Sequence, residues 1–322
     1  MTSTDRQFSA GTIDDSAVPT LLFQPEGKKS GHGAIAWLPA PLYAVTAPPS
    51  WPPGPGRHPV IALLDSRVDD QHPWLPQSGS PPFVTHPKNQ QGWSPVQPDD
   101  EPADESGLNL GSHLIHGTFI AGLIRQYAAD ARIVNLPVMN HLGKVDPADV
   151  IVALTWLADH AEDTPVDIVL MAFGTPADPS EPDLAELKKA MSRLGAVQFV
   201  VSAGNDGSDR TVYPAAFSVA EDLNVTSVGA ISVDTPTERA PYSNYGPWVQ
   251  EWRKGTNILS IASLTTVDLD HEPDLGREGD GTKSATGYGY AWWSGTSFAA
   301  ALYAADLANQ MSATGSYPAA GS

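Results

Sequence analysis

The chain has 322 residues, enough for one large α/β domain or two ordinary ones, and its 41% hydrophobic content can build a sizeable core. Its 18 basic and 37 acidic residues give a formal charge of −19, which repels phosphate backbones and anionic lipids, so neither nucleic acid nor a membrane is expected as a partner. Cysteine is absent, which excludes disulfides and thiolate metal sites and leaves the redox compartment open.

The first thirty residues lack a basic start followed by an apolar run, and no apolar stretch approaches 18 residues. Neither a secretory signal nor a membrane span is therefore expected. This favours a cytoplasmic product, with a secreted form whose leader is left out as the alternative. Residues 1–57 mix short apolar pieces with Pro and Gly and end in APPSWPPGPGRHP, which reads as an irregular lead-in without chemistry of its own. The main domain is expected over 58–311, with a flexible tail over 312–322.

From Val60 onward the texture changes. VIALLDS, RIVNLPVM, VDIVLMAF, QFVVSAG and NVTSVGAIS are short β-branched apolar runs, each suited to a strand buried on both faces. Helix-like segments lie between them, from His116 to about Tyr127, Pro147 to about His160 and Asp183 to about Leu194. Alternating strand and helix predicts parallel strands with crossover helices, and such a sheet places its ligand crevice at the carboxyl ends of the strands. Asp65, Gly174 and Asn205 fall there.

Two stretches interrupt this rhythm, 76–112 and 265–290, and both read as loops. The second contains GREGDGTKSATGYGY but lacks the G-x-x-x-x-G-K-[ST] pattern of a phosphate loop. The acidic clusters DDEPADE at 99–105 and VDLDHEPD at 267–274 lack the ligand spacing of a calcium loop, so solvated loops are expected. No metal and no cofactor is predicted.

Peptide hydrolysis by an alcohol nucleophile needs an exposed serine, an imidazole to take its proton, a carboxylate to fix the imidazole and donors for the oxyanion. Taken singly, each candidate admits a structural role: Asp65 as a strand-end cap, His116 at a helix start, Asn205 in a turn and Ser297 as a helix cap. Their neighbours change the weighing. LLDSRVDDQHPWL at 63–75, HGTFIAGL at 116–123, VVSAGNDG at 200–207 and SGTSFAAA at 294–301 resemble the four signature blocks of the subtilisin-like serine peptidases, in that family's Asp, His, Asn, Ser order. MAFG at 171–174, YPAAF at 213–217, VTSVGA at 225–230 and YSNYGP at 242–247 are similar to other family stretches, so the resemblance spans about Val60 to about Ala308.

The resemblance implies a three-layer α/β fold, with a mostly parallel central sheet and helices on both faces. It implies a serine endopeptidase acting on a peptide or protein substrate, with precursor processing as one form of that activity. Ser297 would be the nucleophile, His116 the general base, Asp65 the orienting carboxylate and Asn205 the oxyanion donor. Ala172, Phe173 and Gly174 would pair with an extended substrate, with Ala203 and Gly204 as further substrate-binding residues, and Gly174 would keep the path to the specificity pocket open. His113 is the near competitor of His116; the HGT context favours His116.

The family pattern is broken at Arg67 and Ile115, where glycine is usual, at Ala172, where serine is common, and at Ala301, where proline is typical. A catalytically silent peptide-binding module of the same fold is the alternative these departures imply. The straight run AGLIRQYAADARIV after His116 also leaves no loop for the calcium site of many relatives.

Overall fold

The computed structural model describes residues 57–75, 82–87, 115–140, 143–232, 237–268 and 284–318, with the backbone of two earlier strand pieces. Most of the stretch 76–112, all of 99–105 and His113 lie outside the described residues.

The strands in chain order are β1 (Phe8–Ser9), β2 (Ala36–Pro39), β3 (Val60–Asp65), β4 (Val84–Thr85), β5 (Arg132–Pro137), β6 (Lys144–Val145), β7 (Ile168–Met171), β8 (Thr175–Pro176), β9 (Gln198–Ser202), β10 (Val212–Tyr213), β11 (Val225–Ile231), β12 (Glu251–Lys254), β13 (Ile258–Asp268) and β14 (Ser284–Trp293). The helices are α1 (His116–Tyr127), α2 (Pro147–Asp159), α3 (Pro182–Ser192) and α4 (Thr296–Thr314).

Seven strands form one sheet in the order β12-β11-β9-β7-β3-β5-β4, and every neighbouring pair in it is parallel. The apolar runs form this sheet because their side chains point alternately to its two faces and both faces are covered. Ile61 and Leu63 of β3 join Phe119 and Ile120 of α1 and Ala300 and Ala304 of α4 in one core. Ala62 and Leu64, from the same strand, join Leu154 and Leu157 of α2 and Leu187 and Met191 of α3 in the other. The result is three layers, as the resemblance implies.

Asp146 caps α2 by accepting the N–H of Ala148 at 2.8 Å, and Pro147 stands at the first helical position, where a missing N–H costs nothing. On the other face, α1 lies close against β13: a Cβ on Gly122 would collide with Ile261 and Ser260, and the Ser260 hydroxyl donates to Phe119 O at 2.6 Å.

The structure departs from the sequence expectation in three places. Residues 265–290 are not one loop: β13 runs to Asp268, β14 begins at Ser284, and the two pair antiparallel in a three-stranded sheet with β2. The lead-in therefore contributes a strand to a sheet. At the other end, α4 continues to Thr314, where Gly315 in the left-handed conformation caps it. Beyond the cap, the Tyr317 ring lies 4.4 Å beneath the Arg57 guanidinium and its hydroxyl donates to Arg57 O, so the described part of the segment read as tail, through 318, is anchored.

Candidate active site

Asp65 ends β3, Ala172 follows β7 and Asn205 follows β9, so three adjacent parallel strands deliver their C-terminal ends to one edge of the sheet. The loop after Asp65 is fixed from below by the buried Asn135 of β5. Its amide donates to the carbonyls of Leu63 and Ser66 at 3.2 and 3.3 Å, and its oxygen accepts Val68 N–H at 3.0 Å.

His116 is the first residue of α1, and Ile115 before it has no side chain that can cap a helix. The Ser66 hydroxyl takes that part by accepting Gly117 N–H at 2.9 Å, which satisfies one of the helix's orphan donors from another element. The approach requires glycine at 117, since a Cβ there would collide with the Ser66 carbonyl. It sets His116 Nδ1 2.8 Å from Asp65 Oδ1 and 3.0 Å from Oδ2, while Ser66 N–H donates to Oδ1 at 2.7 Å. Asp65 is 0% exposed and His116 1%, so the pair is shielded from water. A carboxylate only accepts, so Nδ1 carries the proton and Nε2 keeps its lone pair. The imidazole is held on its flanks by Trp293, edge-on at 5.3 Å, and by Phe298 at 5.6 Å.

Ser297 is the second residue of α4, where an N–H has no acceptor within its own helix. On either side of it, Thr296 N–H donates to Asn205 Oδ1 at 2.9 Å and Phe298 N–H to Gly295 O at 3.2 Å. The Thr296 hydroxyl also donates to Asn205 Oδ1, at 2.9 Å, and accepts Gly204 N–H at 3.1 Å. With two donors on Oδ1, the Asn205 amide has one sensible orientation, and its NH₂ faces away from Thr296.

Ser297 is 2% exposed and its hydroxyl donates to the carbonyl of Ala172 at 3.0 Å rather than to His116. Rotation about χ1 exchanges one staggered well for another, and hydrogen bonds of such sites commonly tighten only with substrate present.

Phe173 turns its ring into the core on the α2/α3 face, leaving only its backbone to the cleft. Ala203 N–H bonds to Val228 O at 3.0 Å, and its carbonyl accepts the Asn244 amide at 3.0 Å. Gly204 N–H is taken by Thr296, and its carbonyl accepts Asn244 N–H at 3.0 Å. Ala203 and Gly204 therefore spend their backbone groups on holding Asn205 in place. Gly204 has φ +98°, and a Cβ there would collide with the Asn244 amide. Asn244 also accepts the N–H groups of Asp206 and Ser208 at 2.9 and 3.1 Å, so one buried side chain braces the whole turn. The sequence reading missed Ser66, Thr296 and Asn244 in these parts; Asn244 stands within the quoted YSNYGP, but nothing local announces its partners.

The chain belongs to the subtilase family, whose sequence model matches residues 56–320. It is 29% identical over 263 residues to the thermophilic serine proteinase of Bacillus sp. (strain AK1), a match covering 78% of this chain and 52% of that protein, so the chain spans about half the length of this relative. Among solved structures, it resembles the protease domain of PatA, with TM-score 0.55, 24% identity and 80% of each chain covered. It also resembles the Prenylagaramide maturation protease PagA, with TM-score 0.52, 22% identity, and 79% of this chain and 75% of that one covered. The two structural likenesses show the subtilisin-like fold.

Proposed function

We propose that this subtilase is an active serine endopeptidase, with Ser297 as nucleophile, His116 as general base and Asp65 as the group that orients the base. The observation that carries the reading is the buried bond between His116 Nδ1 and Asp65, formed on the same sheet edge as a serine at a helix N-terminus. Protonated at Nδ1, His116 presents Nε2 as the proton acceptor.

Ser297 Oγ attacks the scissile carbonyl carbon while Nε2 takes its proton. The oxyanion that forms is met by the Asn205 NH₂ and the Ser297 backbone N–H, at the positive end of α4. The proton then passes to the leaving amine, and water, activated by the same nitrogen, releases the acyl group from Ser297. An extended peptide lying along 172–174 would be read mainly through its backbone. Processing of a peptide precursor is the narrower form of the proposal, in keeping with the maturation protease among the chain's structural neighbours.

A silent peptide-binding module is the second reading, and the observation in its favour is the Ser297 hydroxyl resting on Ala172. Digestion of a mixed peptide pool by wild type and Ser297→Ala, followed by mass spectrometry, separates the two. New termini produced by wild type alone are expected; folded wild type that leaves the pool intact sinks the peptidase reading.

A further inference from the structure

Val212 stands beside Gly174 and Gly204, where an open pocket is expected. Gly174 ends the segment after β7, and Gly204 sits in the turn after β9, the neighbouring strand. With the scissile carbonyl carbon at Ser297 and its oxygen toward Asn205, the side chain of the residue supplying that carbonyl would lie between these two strand ends, because Gly174 is two residues from Ala172, whose carbonyl holds the Ser297 hydroxyl, and Gly204 directly precedes Asn205. Two glycines facing each other there would leave a deep slot.

Val212 closes it. A Cβ on Gly174 would lie 2.5 Å from Val212 Cγ1, and one on Gly204 would lie 3.6 Å from Val212 Cγ2, so the two methyls reach both walls. The side chain is 2% exposed. It is not on a free loop, because β10 pairs antiparallel with β8, placing Val212 opposite Pro176 and Tyr213 opposite Thr175. A β-branched residue in a paired strand has restricted rotamers, so the floor has little means of swinging aside.

Resting on the peptidase reading above, the geometry points to Val212 as the residue that sets specificity: the enzyme cleaves after residues with a side chain no larger than a methyl, glycine or alanine. Larger groups at that position meet the Val212 methyls before the carbonyl reaches Ser297. Gly174, expected to keep the path open, instead makes room for Val212.

The test is a peptide library, with the residue on the acyl side varied, digested by full-length wild type, Val212→Ala and Val212→Gly and mapped by mass spectrometry. Fluorophosphonate labelling of Ser297 is measured on each protein in parallel. Wild type should cleave after Gly and Ala. Val212→Gly should raise cleavage after Leu or Phe, relative to Ala, by about tenfold or more, with Val212→Ala between the two; single carbons in a pocket are worth discrimination of that order. Wild type that cleaves after Leu or Phe as readily as after Ala overturns the inference while leaving the peptidase reading standing, as does an unchanged profile in variants that still label. Should Ser297 fail to label and no peptide be cut by any of the three, both readings fall.

Discussion

The side-chain oxygen of Asn205 receives two hydrogen bonds from Thr296, one from the backbone N–H and one from the hydroxyl, both at 2.9 Å. A residue 91 positions away in sequence thereby aims the Asn205 amide, and it does so from the position directly before Ser297.

Asn205→Ala removes an oxyanion donor, and the expected loss is about 10²–10³ in kcat with KM little changed. Thr296→Val keeps the shape but deletes one donor to Asn205 and the acceptor for Gly204 N–H. A smaller loss, about tenfold in kcat, is expected from the loosened amide. Steady-state kinetics on one peptide substrate tests both; equal and trivial effects would show that Asn205 is not part of the reacting site.

Gly117→Ala places a methyl against the Ser66 carbonyl, where two backbone segments meet and neither has room to move. A destabilisation of roughly 1–3 kcal/mol is expected, as for overpacked cores. The activity of the folded fraction should also fall, because α1 must shift and His116 with it. Unfolding in urea gives the first quantity, and active-site titration gives the second.

Asp167, fully buried, holds the N-terminal end of β3: its carboxylate accepts two hydrogen bonds from Arg57, at 2.5 and 2.7 Å, and Val60 N–H at 2.8 Å. Asp167→Ala leaves the part-buried Val60 N–H without its acceptor and unpairs the partly exposed Arg57 guanidinium, at a cost of about 1–3 kcal/mol in urea unfolding. Activity per folded molecule should stay unchanged, since this end of the strand is opposite the site.

His86 lies beyond edge strand β4, and neither ring nitrogen has a hydrogen-bond partner among the described residues; Nε2 is 3.6 Å from Asp70 Oδ2. Burial pushes its imidazole below the ordinary value and the Arg67 charge adds to this, against smaller opposing effects of Asp70 and Asn135. The unfolded chain therefore takes up the proton first as pH falls. Stability due to the neutral ring is complete above about pH 6.5 and is lost as pH drops through the depressed folded value. His86→Gln should lose less stability than wild type between pH 7.5 and 5.5, measured as urea midpoints; parallel losses would rule His86 out as the cause.

The central strands and helices α1 to α3 were legible in the sequence because each carries its own signal, a β-branched apolar run or a helical spacing of apolar residues. The β13–β14 hairpin was not. SATGYGYAWW alternates glycine with large residues, and glycine weakens any local strand preference, so the pairing depends on a partner supplied by the tertiary fold. EWRK, which forms β12, is similarly half-exposed and charged, and takes its strand form from β11.

At the site, Asp65, His116, Asn205 and Ser297 could be picked out because recognisable neighbours surround each one. Ser66 capping α1, Asn244 bracing the turn and Val212 between two glycines could not, because each acts on backbone distant in sequence. Asn244 reaches Ala203 across 41 residues, and only the folded chain brings them together.

The most direct test of Ser297 as nucleophile is the reaction of the intact protein with a fluorophosphonate, followed by mapping of the modified peptide. One adduct on Ser297 is expected in wild type, no adduct in Ser297→Ala, and labelling slowed by orders of magnitude in Asp65→Asn, because the His116 tautomer is no longer fixed. Folded wild type that stays unlabelled, or that labels at another serine, would contradict that role.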